Sequence, residues 1–383
     1  MKKIIWVNFL HIYQPPWQSP GVLAQVASQS YEYLLTLMKR YPNFKCSLNI
    51  SGNLLEQLED SHPDLLKQLV YLFKRGQIEL TGTAKYHALL PFLSDQEIIR
   101  QVQINQEVLA KYFDLKKIKG FYLPEMAFSL RVARHIKKLG FSWIIVDPMT
   151  YEDKVNNSLL YVLKQSGLKV VFRDRKISQG YPPEVIFHKL KTIKKPTTII
   201  TATDGEIYGH QHNDWQGHIE KILLSPDLAI STVGEYLNTL SQQKTINLRA
   251  ASWETTASEL KNKQPFVLWF DHKNKIHQHL WKLFELASNL VNKYKKDKNY
   301  KWARLHLDRG TSSCTWWWAS AKKPSAFSSL TWNPDMIEAG ARELVLSVRS
   351  INLAKASEKI QVENLFLAIQ KETWQKHWRK YNK

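Results

Sequence analysis

The sequence predicts an α/β fold, a closed or nearly closed TIM-like barrel with a C-terminal helical subdomain, and three observations carry that prediction. Residues 1–255 alternate short apolar runs with amphipathic stretches, the pattern of strands and helices in a mostly parallel sheet. Seven or eight such units point to a closed or nearly closed barrel. Beyond about residue 256 strand signals thin out and helical periodicity takes over, and 383 residues suffice for a large domain plus a smaller one.

Taken in order, the strand candidates are Ile4–Leu10, Phe44–Ile50, Gln77–Gly82, Ile118–Leu123, Trp143–Val146, Lys169–Phe172, Thr197–Thr201 and Asn247–Ala251. Between them, 95–112 reads as a helix: Ser94 and Glu97 stand at capping-box spacing, and Ile98, Ile99, Val102, Val108 and Leu109 supply an apolar face. Residues 273–296, 300–308, 334–353 and 357–382 read as helices, and "KKPSAFSSLTWNP" at 322–334 as a loop from its Pro and Ser content. The expected division is a barrel over 1–260 and a helical subdomain over 261–383 that completes the cleft.

Composition narrows the function classes. Hydrophobic residues make up 44%, ample for a packed core, and no segment approaches the roughly 18 uninterrupted apolar residues of a membrane span. "MKKIIWVNFLHIYQPP" begins with basic residues and an apolar run, but Asn8 and His11 interrupt it and no small-residue cleavage site follows, so it reads as a first strand rather than a secretory signal. A cytoplasmic location is the expectation, and two cysteines, Cys46 and Cys314, suit a reducing compartment. The net charge of +20 raises nucleic-acid binding, yet the lysines fall in scattered runs such as "KLKTIKK" and "NKYKKDKNYK", with no nucleic-acid motif. They read as solvated faces with non-specific attraction to anions, so no specific nucleic-acid partner and no membrane is expected.

In a parallel barrel the working residues stand at the C-terminal ends of strands, so polar residues directly after apolar runs are the candidates. These are His11, Tyr13 and Gln14 after "IIWVNFL"; Glu79, Tyr86 and His87 in "GQIELTGTAKYHALLP"; Glu125 after "GFYLP"; Asp204, Glu206, Tyr208 and His210 after "TTIITAT"; and Trp253 and Glu254 after "NLRAAS". Several carboxylates, histidines and aromatics appear, with no Ser-His-Asp arrangement, glycine-rich phosphate loop or zinc-spaced cysteines. Paired carboxylates with aromatic rings for sugar faces are the minimal set for glycoside hydrolysis. A strand-end acid is equally often a helix cap or an ion-pair partner, so spacing alone leaves both readings open.

"HIYQPP", "GQIELTGTAKYHALLPFL", "GFYLPEMAFS", "TATDGEIYGHQH" and "AASWET", in that order, resemble the five motifs of glycoside hydrolase family 57. "FRDRKIS", "NKIHQHLWKLFELA" and "CTWWWAS" resemble further family segments, so the similarity runs over nearly the whole chain. The resemblance implies a (β/α)7 barrel and an α-glucan substrate, oligosaccharide or polysaccharide, without a metal or other cofactor. It implies Glu125 as catalytic nucleophile and Asp204 as general acid/base of a retaining mechanism, with a raised pKa at Asp204 so that it enters the reaction protonated. It further implies sugar-binding roles for His11, Tyr13, Gln14, Glu79, His87, Tyr122, Glu206, His210, Trp253, Glu254, Trp316 and Trp317. Tyr13 stands where many members have a second histidine, Tyr122 where many have tryptophan, and Gln211 where some have an aromatic.

The bland readings are specific as well. Glu79 could brace the cleft through an arginine such as Arg173, and Trp253 or the Trp316–Trp318 run could be core. "YHALLP" and "FRD" look amylase-like or amylopullulanase-like, and the chain shows no long C-terminal β-domain, which favours a compact hydrolase of α-1,4-linked glucan. A 4-α-glucanotransferase or an α-galactosidase on the same site is the alternative. Alternatives of another class are a metal-dependent carbohydrate deacetylase, with Asp204, His210, His212 and His11 as ligands, and a non-catalytic carbohydrate-binding or nucleic-acid-binding protein.

Overall fold

The computed structural model describes residues 2–115, 117–324 and 330–380. The chain divides into two compact units, one of Met1–Gln14, Gln18–Lys85 and Leu90–Trp253, the other of Pro15–Trp17, Tyr86–Leu89 and Glu254–Lys383.

The described strands of the first unit are β1 Ile4–Ile12, β2 Cys46–Ile50, β3 Ile78–Gly82, β4 Gly120–Tyr122, β5 Trp143–Val146, β6 Leu160–Leu163, β7 Lys169–Phe172, β8 Thr197–Asp204, β9 Leu228–Ser231 and β10 Gln243–Ile246. Seven of them run parallel side by side in the order β8-β1-β2-β3-β4-β5-β7. No strand ladder joins β7 to β8 among the described residues. The seam is bridged instead by the Asp174 N–H donating to the Ile200 carbonyl at 2.6 Å and the Ala202 N–H donating to Ser178 Oγ at 3.1 Å. The sheet therefore curls into the seven-stranded barrel that the alternation implied. Outside this ring, β6 pairs antiparallel with β7, β10 parallel with β6, and β9 parallel with the first half of β1.

β1 shows why near-continuous apolar runs build this ring. Parallel strands are covered on both faces, so alternate residues enter different cores. Ile4, Trp6, Leu10 and Ile12 join the large core with the surrounding helices. Val7 and Phe9 join an inner cluster with Ile145, Val171, Ile200 and Val233. A fully buried side chain of this size contributes about 1.5–3 kcal/mol, so both faces are driven to close. His11 follows Val7 and Phe9 at period two, and the strand thereby aims it inward at its C-terminal end.

The helix over Asp95–Phe113 begins as the sequence predicts, with Ser94 Oγ accepting from the Glu97 N–H. Asn247–Ala251 is not the expected strand. Pairing stops at Ile246, and only Ala251 bridges, antiparallel, to Phe128. Arg249, in mid-segment, instead extends to the Met149 carbonyl and Glu152. β6, β9 and β10 carry no strong sequence signal: each is only four residues long, and β10 is Gln-Lys-Thr-Ile.

The second unit is helical, with long helices at Lys275–Lys293, Tyr300–Gly310, Pro334–Arg349 and Ala356–Lys380, near the positions predicted. Part of the predicted loop at 322–334, residues 325–329, lies outside the described residues, as do residues 381–383. Within the described residues no helix is long and apolar enough to cross a membrane. The lysines of the "KLKTIKK" run are exposed, as read from the sequence.

Candidate active site

β1, β2 and β3 set adjacent polar residues in register: His11 opposite Asn49, and Asn49 opposite Thr81. His11 Nδ1 bonds Asn49 Oδ1 at 2.7 Å, and Asn49 Nδ2 donates to Thr81 Oγ1 at 3.3 Å. The amide oxygen only accepts, so Nδ1 carries the ring proton and Nε2 is the acceptor face of a neutral imidazole. Burial pushes the His11 pKa down to about 4, against the opposing pull of the Asn49 bond, so the ring is neutral at physiological pH. On the other side of β1, His11 stands in register with Asp204, the last residue of β8.

Tyr122 closes β4. Its ring stacks on His11 at 4.6 Å and on Phe9 at 5.5 Å, and it is fully buried. The sugar-facing platform expected there is not what the fold builds, because no face of this ring reaches solvent. The Tyr122 hydroxyl is pushed well above its ordinary pKa, first by burial and then by the charges of Asp204 and Glu125, with Arg173 opposing and Glu206 adding to the rise. Groups from three strand ends, those of β4, β7 and β8, thus act on one phenol.

Glu125 follows β4 in a turn of Pro124–Met126. Its backbone is left-handed (φ 60°, ψ 15°), and Met126 after it has φ 47°. A non-glycine residue in that region costs of order 1 kcal/mol and persists only where its surroundings over-determine it. Here those surroundings are the segment Ala251–Trp253. The Phe128 N–H donates to the Ala251 carbonyl at 2.8 Å, and the Trp253 N–H to the Glu125 carbonyl at 3.1 Å. Trp253 Nε1–H then donates to Glu125 Oε2 at 3.0 Å, fixing the carboxylate as well as its backbone.

Trp253 is held in turn by Arg173, the arginine of the "FRD" segment that the sequence also offers as a partner for Glu79. Arg173 Nη2 donates to the Trp253 carbonyl at 2.9 Å and Nη1 to the Ala202 carbonyl at 3.2 Å, and Nε donates to Asp147 Oδ2 at 2.8 Å. Asp147 also accepts from Arg175 at 2.8 Å and is wholly buried. A buried carboxylate needs such pairing. Glu79 has no part in this ion cluster. Its carboxylate accepts from Ser47 Oγ at 2.5 Å and from the Gly234 N–H at 2.9 Å. Glu79 stands in register with Ser47, and Ser47 with Phe9, one inward layer below His11. The structure therefore makes Glu79 a brace between β2, β3 and the helix at Val233–Asn238, through partners other than Arg173.

Glu206, two residues past β8, is buried and accepts from Tyr31 Oη at 2.6 Å, the Tyr13 N–H at 3.3 Å and Gln14 Nε2 at 3.4 Å. Burial raises its pKa while those bonds hold it back. Gln14 also accepts from Gln18 at 2.7 Å, so both ends of its amide are engaged internally. His210 Nδ1 bonds Gln29 Oε1 at 2.7 Å, and His212 packs on Tyr181 at 4.3 Å. Among the described residues no group of three or more His, Cys, Asp or Glu side chains stands as a metal-binding set, so the ligand cluster imagined for a deacetylase does not form.

The remaining candidates belong to the second unit. His87 is buried, with Nδ1 at 3.0 Å from Ser313 Oγ, and Glu254 begins the unit's longest stretch. Trp316 is fully buried, stacked on Trp281 at 4.0 Å, with its carbonyl bonded by His277 Nε2 at 3.0 Å. It is core, and the sugar contact expected of it is corrected accordingly. Trp317 is partly exposed, tilted against Trp269 at 5.5 Å. Sequence reasoning passed over Asn49, Tyr31 and Asp147. Asn49 could have been found as a polar residue inside the apolar run "CSLNI", and Asp147 as the acid directly after "WIIV", while Tyr31 carries no sequence signal of its own.

Acids at the C-terminal ends of β4 and β8 in a parallel barrel, with a neutral histidine between them in the strand order, describe a glycosidase-type barrel enzyme. Comparison with known proteins identifies which. The chain belongs to glycosyl hydrolase family 57, whose model matches residues 17–251. Alpha-amylase 1 of Dictyoglomus thermophilum is 25% identical over 226 residues, 55% of this chain and 32% of that protein. The 4-alpha-glucanotransferase of Thermococcus litoralis is 22% identical over 319 residues, 74% of this chain and 48% of that protein. The matched region thus spans about a third to a half of those curated relatives. The crystal structure of the latter enzyme superposes with a TM-score of 0.74 at 18% identity, covering 92% of this chain and 60% of that one. An alpha-amylase structure from Thermotoga maritima gives 0.65 at 14% identity, covering 99% and 96%. These structures share the fold.

Proposed function

We propose that the protein is a retaining glycoside hydrolase acting on α-1,4-linked glucan, with Glu125 as nucleophile and Asp204 as general acid/base. The observation that supports this reading is the placement of both acids at strand ends around His11: Asp204 closes β8 in register with His11, and Glu125 follows β4, whose last residue Tyr122 stacks on His11 at 4.6 Å. Glu125 attacks the anomeric carbon as Asp204 gives its proton to the departing glycosidic oxygen, and the C–O bond to the leaving chain breaks. Water, deprotonated by Asp204, then attacks the anomeric carbon of the glycosyl-Glu125 ester, releasing the sugar and restoring both acids. Trp253 Nε1–H donates to one oxygen of Glu125 and fixes the orientation of the carboxylate. His11 presents a neutral Nε2 acceptor suited to a sugar hydroxyl, and its Asn49 bond fixes that tautomer.

Hydrolysis and transfer diverge only at the second step, where a sugar hydroxyl can replace water. The relatives of both names make this the natural second reading. The test is a panel of α-glucans and an α-galactoside, with products resolved by chain length, on wild type, Glu125→Gln and Asp204→Asn. Loss of at least a thousandfold in turnover is expected for Glu125→Gln, with release of shortened chains by wild type. Wild-type turnover in either variant would overturn the assignment of the pair, and chain-lengthened products would turn the reading to transfer.

A further inference from the structure

We propose that Trp215 is a glucan-binding platform at the rim of the barrel, taking the apolar face of a glucosyl unit that lies beyond the bond being cleaved. The inference rests on the α-glucan reading above and deepens it.

Tryptophan is seldom left in water, since its large apolar surface makes exposure costly. Trp215 is 90% exposed, more than any other exposed large hydrophobic side chain described. It stands on the segment that leaves the C-terminal end of β8, eleven residues past Asp204, on the side of the barrel where the two acids lie. That segment is pinned along its length. Gly209 has φ +93°, and a Cβ there would lie 2.1 Å from the Gln29 carbonyl oxygen. The Gln211 N–H donates to the Glu206 carbonyl at 2.9 Å, tying the loop to the candidate site itself. Asp214, beside the tryptophan, accepts from the His218 N–H at 2.9 Å, the Ile219 N–H at 2.8 Å and Tyr181 Oη at 3.1 Å. The indole is thus presented to water by an ordered backbone.

Sugar chemistry fits this presentation. A glucosyl ring has an apolar C–H face and a rim of hydroxyls, so it wants an aromatic plane flanked by hydrogen-bonding groups. Gln211, Asn213 and Gln216 are exposed around Trp215 and offer amide donors and acceptors. Within the site of the same unit Tyr122 is fully buried, and Tyr13 and Trp253 are half-buried, Trp253 giving its N–H to Glu125. The loop therefore supplies a far more open aromatic face than the inner site does. An isolated indole among amides suits a sugar better than an apolar protein surface, which would call for a contiguous patch.

The experiment is calorimetric titration of maltotriose and maltoheptaose into Glu125→Gln, with and without Trp215→Ala and Trp215→Tyr. The expected result is about a tenfold weaker Kd for maltoheptaose in Trp215→Ala, less than twofold for maltotriose, and recovery to within threefold in Trp215→Tyr. An unchanged maltoheptaose Kd, or an equal loss for both sugars, overturns the inference while leaving the functional reading intact. No binding of either sugar, together with no cleavage of any α-glucan by wild type, overturns both.

Discussion

Trp253 shows how one residue can carry several duties. Its backbone N–H and carbonyl bind Glu125 and Arg173, and its indole N–H reaches the Glu125 carboxylate. The Arg173 guanidinium also lies 5.6 Å from the indole centroid, within range of a cation–π attraction. Replacing Trp253 with Phe keeps the ring and the backbone bonds and removes only the donor to Glu125. A hydrogen bond to a charged group contributes about 1.5–3 kcal/mol, so kcat/KM on an α-glucan should fall by roughly ten- to a hundredfold. Circular dichroism and the melting temperature should change little. Unchanged kcat/KM would show that the bond does nothing for the reaction. His11 is the complementary case: its neutral state comes from burial, and its tautomer from Asn49.

Two short turns, after β4 and after β8, hold the acids, and they use different devices. The first stores strain in two consecutive left-handed residues, Glu125 and Met126, clamped by the Ala251–Trp253 segment. The second depends on close approach. A Cβ on Gly205 would lie 2.4 Å from Ile12 Cγ2 at the end of β1, and Ser30 Oγ binds the Gly205 carbonyl at 2.9 Å. Gly205→Ala should therefore push the Asp204–Glu206 turn off β1, lowering kcat by tenfold or more and the melting temperature by a few degrees. A crystal structure of the variant with Asp204 and Glu206 unmoved would refute that account. The strands that bear these turns were legible because parallel strands are apolar on both faces, as in "IIWVNFL" and "TTIITAT". The acids stood out for the same reason, as charges where an apolar run stops. β9 and β10 were not legible, since edge strands bury little, and β6, Leu-Tyr-Val-Leu, is too short to stand out from the loops beside it. Nor could Glu79 be placed: its partners, Ser47 and Gly234, are 32 and 155 residues away in the chain and neither carries charge.

Across the molecule the surface and the interior respond oppositely to protons. The surface carries a net +20, spread over exposed lysines. The interior holds histidines that burial keeps neutral, His11 in the first unit and His277 in the second, each with its pKa pushed down to about 4. At His277 burial is the cause and the Trp316 carbonyl, which accepts from Nε2–H at 3.0 Å, opposes it, while Nδ1 accepts the Asp271 N–H at 3.1 Å. A second proton on the ring would have to displace the Asp271 bond inside the core. The folded pKa of about 4 lies below the unfolded value of 6.5, so the unfolded chain takes up the proton first as pH falls. The stability tied to the neutral ring is therefore present above pH 6.5 and is lost as pH falls towards 4. Glu206 has the opposite sign, because its raised pKa lets the folded state take up a proton first. Comparing wild type with His277→Gln cancels that contribution, since Glu206 is common to both. The variant cannot titrate at this position, so wild type should be the more stable at pH 7, and the difference in urea unfolding free energy should shrink by about 2–3 kcal/mol as pH falls from 7 to 4. Parallel stability curves for the two proteins over that interval would mean that His277 titrates in the folded state as it does in the unfolded chain.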